Sequence, residues 1–325
     1  MKLNKYKKIF ISGHNGMVGS SILRFAKKNN LAENILTINK ARLDLTNKNK
    51  TYDFLKKNKP EIVFICSAKV GGILANNNNP VEFLLNNLEI QNNLISGCFN
   101  AGIKKILFLG SSCIYPRTYL NKKKSFSESD MLSNKLELTN EPYALAKISG
   151  IKLCESYNRQ YNTQYRSIIP PNLYGPNDNY HPTNSHVLAA LIRKFSLAKK
   201  NNLKKVTIWG SGNVKREFLH VDDLAKGAFF ISSIKNRVYN QLTSPQQSFI
   251  NIGYGDEISI KKLCKIICKK LKFDCKLEFD HSKPDGTKSK LINSKKMLSL
   301  GWKPEIKIEK GIELVLENYK NLNDL

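Results

Sequence analysis

Three glycines at three-residue intervals, Gly13, Gly16 and Gly19 in Gly-His-Asn-Gly-Met-Val-Gly, follow the short β-type run Lys8 to Ser12 and open a helical segment. No other feature constrains the fold as much. Glycine lets backbone come close to a phosphate, the open amides and positive pole of a helix N-terminus stabilise negative charge there, and a small residue one turn in lets helix pack on strand. The spacing is a variant of the Gly-x-Gly-x-x-Gly dinucleotide fingerprint, in the strand-to-helix setting that fingerprint requires. Further β-type runs alternate with helical segments, at Ile35 to Ile38, Ile62 to Ser67, Lys105 to Gly110, Arg166 to Pro170, Val206 to Trp209 and Phe249 to Ile252. This order predicts an α/β fold, a Rossmann-type doubly wound parallel sheet. From Asn172 the pattern is broken by prolines such as Pro176, Pro182, Pro245 and Pro304, which predicts a smaller C-terminal substrate-binding lobe over the sheet's carboxyl edge. The expected boundaries are 1–171 for the dinucleotide-binding domain, with 218–252 returning to it, and 172–217 with 253–325 for the lobe.

The net charge of +27, from 53 Lys plus Arg against 26 Asp plus Glu, would attract any polyanion. The excess is mostly lysine, as at Lys122 to Lys124, Lys199, Lys200, Lys204, Lys205, Lys269 and Lys270, without interleaved aromatics or a nucleic-acid motif. It reads as a solvated surface that helps draw in a nucleotide diphosphate, and no nucleic-acid partner is expected. The longest apolar runs, Ile62 to Cys66 and Ile106 to Leu109, are too short for a bilayer, and the basic N-terminus is followed only by Ile9, Phe10 and Ile11. A cytoplasmic protein with no membrane association is expected. Seven cysteines, an odd number, predict reduced thiols; Cys264 and Cys268 have no second pair at metal spacing, so no metal is expected. Val81 to Asn100 and Tyr143 to Tyr161 read as long helices. Their remaining apolar faces, Leu84, Leu88 and Leu94 on one and Ile148, Ile151 and Leu153 on the other, are either core or the interface of a homodimer built from two helices per subunit.

Within Asn-Glu-Pro-Tyr-Ala-Leu-Ala-Lys, Pro142 opens a helix and sets Tyr143 and Lys147 one turn apart on one face. A lysine cation beside a phenol favours the phenolate, so Tyr143 is expected to titrate closer to working pH and to protonate an alkoxide formed by hydride delivery. Gly-Ser-Ser-Cys-Ile-Tyr-Pro, Gly110 to Pro116, places a serine at the end of an intervening strand. After the second strand, where an acid would bind the ribose hydroxyls of NAD, the chain has Asn39, Lys40 and Arg42, with Asp44 too late. Cations there predict NADP(H), with Lys40 near the ribose phosphate.

Together with Ala68 to Ile73, Asn172-Leu173-Tyr174-Gly175-Pro176, Asn184-Ser185-His186, Trp209 to Gly212, Arg216 to Asp223 and Lys283 to Gly286, these segments resemble the extended short-chain dehydrogenase/reductases over nearly the whole chain. Gly-Ser-Ser-Cys-Ile-Tyr-Pro with Asn-Ser-His points, within them, to the fucose-forming branch. The resemblance implies 3,5-epimerisation and NADPH-dependent 4-reduction of GDP-4-keto-6-deoxy-D-mannose to GDP-L-fucose. It implies Ser111, Tyr143 and Lys147 as the reductase triad, with Ser112 the rival to Ser111, and Cys113 and His186 as the epimerisation pair. A C4 ketone acidifies the protons on C3 and C5, and inversion needs a base, an acid and donors for the enolate oxygen. The family pattern makes Cys113 the base and His186 the acid; spacing alone assigns neither face. Implied around the cofactor are Gly13, Asn15, Gly16, Met17, Val18, Gly19 and Lys40 at the phosphates, and Leu109, Gly110, Ser111, Ser112, Lys147, Pro170, Asn172, Leu173 and His186 deeper in. Lys194 and Arg216 are implied at the substrate diphosphate, Trp209 on the nucleotide or sugar, and Asp285 at hydroxyls. Each has a plainer reading: Trp209 as core, Arg216 paired with Glu217, Asp285 inside a turn. Two departures stand out, Asn15 and Lys194 where relatives often carry arginine; Lys194 keeps charge but loses the planar fork.

Overall fold

The computed structural model describes residues 3–119, 124–182, 184–283 and 285–323, so Lys122, Lys123 and Pro284 lie outside the described residues. The first half runs β1 (Tyr6–Ser12), α1 (Met17–Lys28), β2 (Ala32–Leu36), α2 (Lys48–Asn58), β3 (Ile62–Ile65), α3 (Ile73–Asn78), α4 (Pro80–Asn100), β4 (Lys105–Leu109), α5 (Glu141–Tyr161) and β5 (Gln164–Ile169). The second half runs β6 (Asn172–Tyr174), α6 (Val187–Lys200), β7 (Lys205–Trp209), β8 (Lys215–His220), α7 (Val221–Ser233), α8 (Asn236–Leu242), β9 (Phe249–Asn251), β10 (Glu257–Ser259), α9 (Ile260–Leu271), β11 (Lys276–Asp280), α10 (Lys295–Ser299) and α11 (Ile308–Asn323).

Six strands pair in parallel in the order β2-β1-β3-β4-β5-β9. Successive side chains of a strand face opposite sides, and both sides are covered. Ile9, Ile11, Phe64 and Leu107 meet Ile22, Leu224 and Phe229 of α1 and α7 on one side. Phe10, Val63, Ile65 and Phe108 meet Leu55, Leu94, Ile95 and Ile151 of α2, α4 and α5 on the other. Burial of both faces explains why these strands read as continuous apolar runs. Strand order reverses at β1, flanked by β2 and β3, so the carboxyl ends of β1 and β3 frame the crevice where such sheets bind ligands.

A third core joins α6, α9 and α11 through Leu188, Ile192, Phe195, Leu263, Ile267, Ile312 and Val315, together with Val206 and Ile208 of β7. The run Val206 to Trp209 is thus a strand but not one of the main sheet; β7 pairs in parallel with β11 in a separate two-stranded sheet. A second small sheet, β10-β8-β6, is built wholly from the second half of the sequence. Met297 and Trp302, late in the chain, sit in the first core beside α7. Of the helix faces considered for a dimer, Leu94, Ile148 and Ile151 are interior to this chain, whereas Val81, Leu85 and Leu145 are exposed. Among the described residues no helix is long and apolar enough to cross a membrane.

Candidate functional site

The loop after β1 is shaped by its glycines. Gly13 has φ +68°, and a Cβ there would stand 2.9 Å from the Ser67 amide nitrogen; a Cβ on Gly19 would stand 2.2 Å from the Gly13 carbonyl oxygen. Gly16 caps α1 without any side-chain bond, and the first turn, which holds Met17 and Val18, carries no acid. The first amides of α1 and its positive pole therefore face the crevice uncompensated, a fit for a dinucleotide pyrophosphate. Asn15 Nδ2 donates to Asn39 Oδ1 at 2.9 Å, tying the loop to the residues after β2. Lys40 is exposed, with the Asp44 carboxylate 3.7 Å from its ammonium. Asp44 is occupied by the Thr46 amide and hydroxyl, at 3.0 and 2.9 Å, and its carboxyl is held below the usual range chiefly by that amide.

Deeper in, β4 delivers Leu109, whose carbonyl accepts from Lys147 Nζ at 2.8 Å. Gly110 follows where a Cβ would meet Ile169 at 2.3 Å. Ser111 is extended and its Oγ accepts from the Cys113 amide at 3.3 Å, starting a single 3-10 turn over Ser112–Ile114. The two serines diverge: Ser111 lies near enough to the Tyr143 phenol to favour its ionised form, while Ser112 is buried with its amide donating to the Pro170 carbonyl at 3.0 Å. Beyond it, Asn172 Nδ2 donates to the Glu217 carbonyl at 3.1 Å, and Leu173 packs on the first core.

Tyr143 stands edge-on to Phe83 of α4, ring centroids 6.3 Å apart, and keeps partial solvent access. Its phenol is held well above its ordinary value, first by burial and then by the Cys113 sulfur, against the lowering effect of Ser111. That corrects the expectation that Lys147 draws it down. Lys147 Nζ lies 5.8 Å from the Tyr143 ring centroid and spends its hydrogen bond on Leu109, and burial lowers its own pKa to about 8. Desolvation disfavours phenolate and ammonium alike, so the phenol stays protonated and ready to donate.

Cys113 is partly exposed, and its sulfur accepts a hydrogen bond from Asn140 Nδ2 at 3.3 Å. It lies close enough to bias the titration of Tyr143, Lys147 and Lys290. His186 is the N-cap of α6 with no side-chain cap bond, and burial holds its imidazole below the ordinary value, hence neutral. Its loop is anchored by the Gly72 amide donating to the Asn184 carbonyl at 3.0 Å.

Toward the lobe, Trp209 is 54% exposed, so it is not core. Lys194 Nζ, bonded to the Thr207 carbonyl at 2.9 Å, stands 5.9 Å from its ring centroid, and Lys283 Nζ 5.8 Å. Arg216 does not pair with Glu217, because neighbours in β8 face opposite ways. Glu217 turns inward to the Gly255 and Ile292 amides, at 2.7 and 3.0 Å, while Arg216 Nη1 donates to the Lys215 and Thr287 carbonyls, at 2.7 and 2.6 Å. Asp285 accepts from the Ser211 amide and hydroxyl at 2.7 and 2.8 Å and so braces the Gly210 turn, where φ is +76°. Arg216 lies near enough for its charge to lower the Asp285 carboxyl further, after the Ser211 bonds.

Sequence reasoning passed over Asn140, Lys283 and Lys290. Asn140 was visible three residues before Tyr143. The two lysines sit in a segment where an abundance of surface lysine hid them; burial lowers the Lys290 pKa, and Cys113, Glu137 and Arg216 are its electrostatic neighbours.

Residues 9–241 match the NAD dependent epimerase/dehydratase family. The chain is 45% identical to GDP-L-fucose synthase of Escherichia coli (strain K12) over 306 residues, 94% of each chain. It is 37% identical to GDP-L-colitose synthase of Yersinia pseudotuberculosis over 315 residues, 97% of this chain and 98% of that one. Among solved structures it is similar to a GDP-mannoheptose C4 reductase from Campylobacter jejuni with NADP bound, with a TM-score of 0.87, 36% identity, and 98% and 99% of the two chains covered.

Proposed function

Because the chain belongs to the NAD-dependent epimerase/dehydratase family, we propose that it converts GDP-4-keto-6-deoxy-D-mannose to GDP-L-fucose, inverting C3 and C5 and then reducing C4 with NADPH. The observation that carries this reading is a cysteine, Cys113, partly exposed and close beside Ser111, Tyr143 and Lys147. A dehydrogenase or a simple C4 epimerase needs the last three and has no use for the first.

The glycine loop and the N-terminal amides of α1 hold the cofactor pyrophosphate, Lys40 and Asn15 lie toward its ribose phosphate, and Lys147 toward the nicotinamide ribose. NADPH, when bound, supplies the hydride that C4 receives. In the inversions Cys113 takes a proton from the carbon beside the ketone and His186, after itself taking up a proton from solvent, returns one to the opposite face, while the Ser111 and Tyr143 hydroxyls donate to the oxygen that gains charge. In the reduction the same oxygen takes its proton from Tyr143, which burial has kept protonated. Lys194 and Arg216 grip the diphosphate and Trp209 packs against the nucleotide or sugar. Asp285, braced on Ser211, orders the turn that presents Trp209.

The core of α6, α9 and α11 is the substrate lobe in this reading. A homodimer through the α4–α5 face is supported by exposed Val81, Leu85 and Leu145, and analytical ultracentrifugation reading a single monomer mass at micromolar concentration would exclude it. The cytosol suits a consumer of NADPH whose seven cysteines are unpaired thiols. The decisive experiment mixes purified protein with NADPH and GDP-4-keto-6-deoxy-D-mannose and identifies the sugar. GDP-L-fucose is expected, and a product with unchanged C3 and C5 configuration would refute the assignment.

A further inference from the structure

Asn140 is the N-cap of α5, where an asparagine ordinarily turns its side-chain oxygen onto the amide of the second or third helical residue. It makes no such bond. One of those amides does not exist, since Pro142 holds the second helical position. The side chain points instead at the sulfur: Nδ2 donates to Cys113 Sγ at 3.3 Å, and Oδ1 is shut off from bulk water with no partner. Among the described residues this is the one hydrogen bond that a side chain gives to the Cys113 sulfur. An uncapped helix end and an unsatisfied buried carbonyl oxygen are both unfavourable, so the fold does not account for this orientation.

We infer that Asn140 is a positioning residue for the carbon-acid half of the reaction, its N–H holding the Cys113 sulfur where the base must stand. When the C–H bond breaks, the proton goes to sulfur and the electron pair to the ketone oxygen. The amide N–H bonds a charged sulfur before that transfer and keeps the neutral one in place after it. The carbon-acid role rests on the function proposed above; the amide–sulfur contact does not.

Asn140→Ala removes the sulfur contact and Asn140→Asp keeps the shape but loses the donor; neither removes a helix-cap bond, so both are expected to fold. Deuterium entry from solvent at C3 and C5 of GDP-4-keto-6-deoxy-D-mannose, measured without NADPH, should fall roughly ten- to hundredfold in both variants. NADPH oxidation with the already inverted ketone should fall less than about threefold, because that step does not use the thiol. Alkylation of Cys113 by iodoacetamide, followed by mass spectrometry, should slow about threefold or more in both. Wild-type deuterium entry within about twofold in Asn140→Ala, or equal loss of both half-reactions, overturns the positioning role. Unchanged alkylation overturns the sulfur contact. Absence of deuterium entry in the wild type sinks the proposed function instead, and the alkylation rates still judge the amide–sulfur bond.

Discussion

The two ends of the cleft are built on opposite principles. At the deep end, around Cys113, Tyr143 and Lys147, water is largely excluded and protonation states are moved: the phenol up, the ammonium down to about 8. At the outer end, Trp209 stands 54% exposed between two lysines, and the Asp285 carboxyl is pulled down by hydrogen bonds from Ser211. In the proposed reaction the groups that pass protons sit where burial tunes them, and those proposed to meet a diphosphate sit where fixed charge reaches solvent. The difference teaches that in this molecule chemistry and recognition are separable by depth.

Substitutions at the deep end should break one half-reaction at a time and cost most. Cys113→Ala is expected to abolish deuterium entry at C3 and C5, and Tyr143→Phe to slow reduction of the inverted ketone roughly a hundred- to ten-thousandfold. Equal deuterium entry by wild type and Cys113→Ala would end the division of labour.

A titration separates the ends next. Lys147 is charged below about 8 and loses its charge as pH rises through that value, so kcat/KM for NADPH should fall above pH 8 in the wild type. Lys147→Arg, which stays charged, should lose that alkaline limb even if its rate is lower.

At the outer end, Trp209→Ala should raise KM for the GDP-sugar roughly three- to thirtyfold with a smaller change in kcat, as expected for a packing and cation–π surface. A kcat loss matching that of Tyr143→Phe would place Trp209 in the chemistry instead. The smallest effect is expected for Asp285→Asn, below about threefold in KM, since an amide oxygen still accepts from the Ser211 amide. A tenfold rise there would show that the carboxylate itself meets the substrate.

Local features were legible in the chain. The glycine loop, the alternation of strands and helices, and the Tyr143–Lys147 spacing each depend on residues a few positions apart, where backbone geometry is close to fixed by residue type. Others were left open for a common reason. Val206 to Trp209 has the strand pattern, but the pattern does not name its partner, which is β11. Leu94 and Ile151 have the helical period, but period alone does not say whether an apolar face meets the same chain or a second copy.

By itself, then, the sequence determined that a dinucleotide loop would precede a tyrosine and lysine on one helix face and a thiol at a strand end. Only the tertiary structure decided how acidic that tyrosine is, that Asn140 turns from its helix cap to the Cys113 sulfur, and that Trp209 faces outward between Lys194 and Lys283. Desolvation and contacts between segments depend on which distant parts of the chain close over a group, and residue spacing does not carry that information.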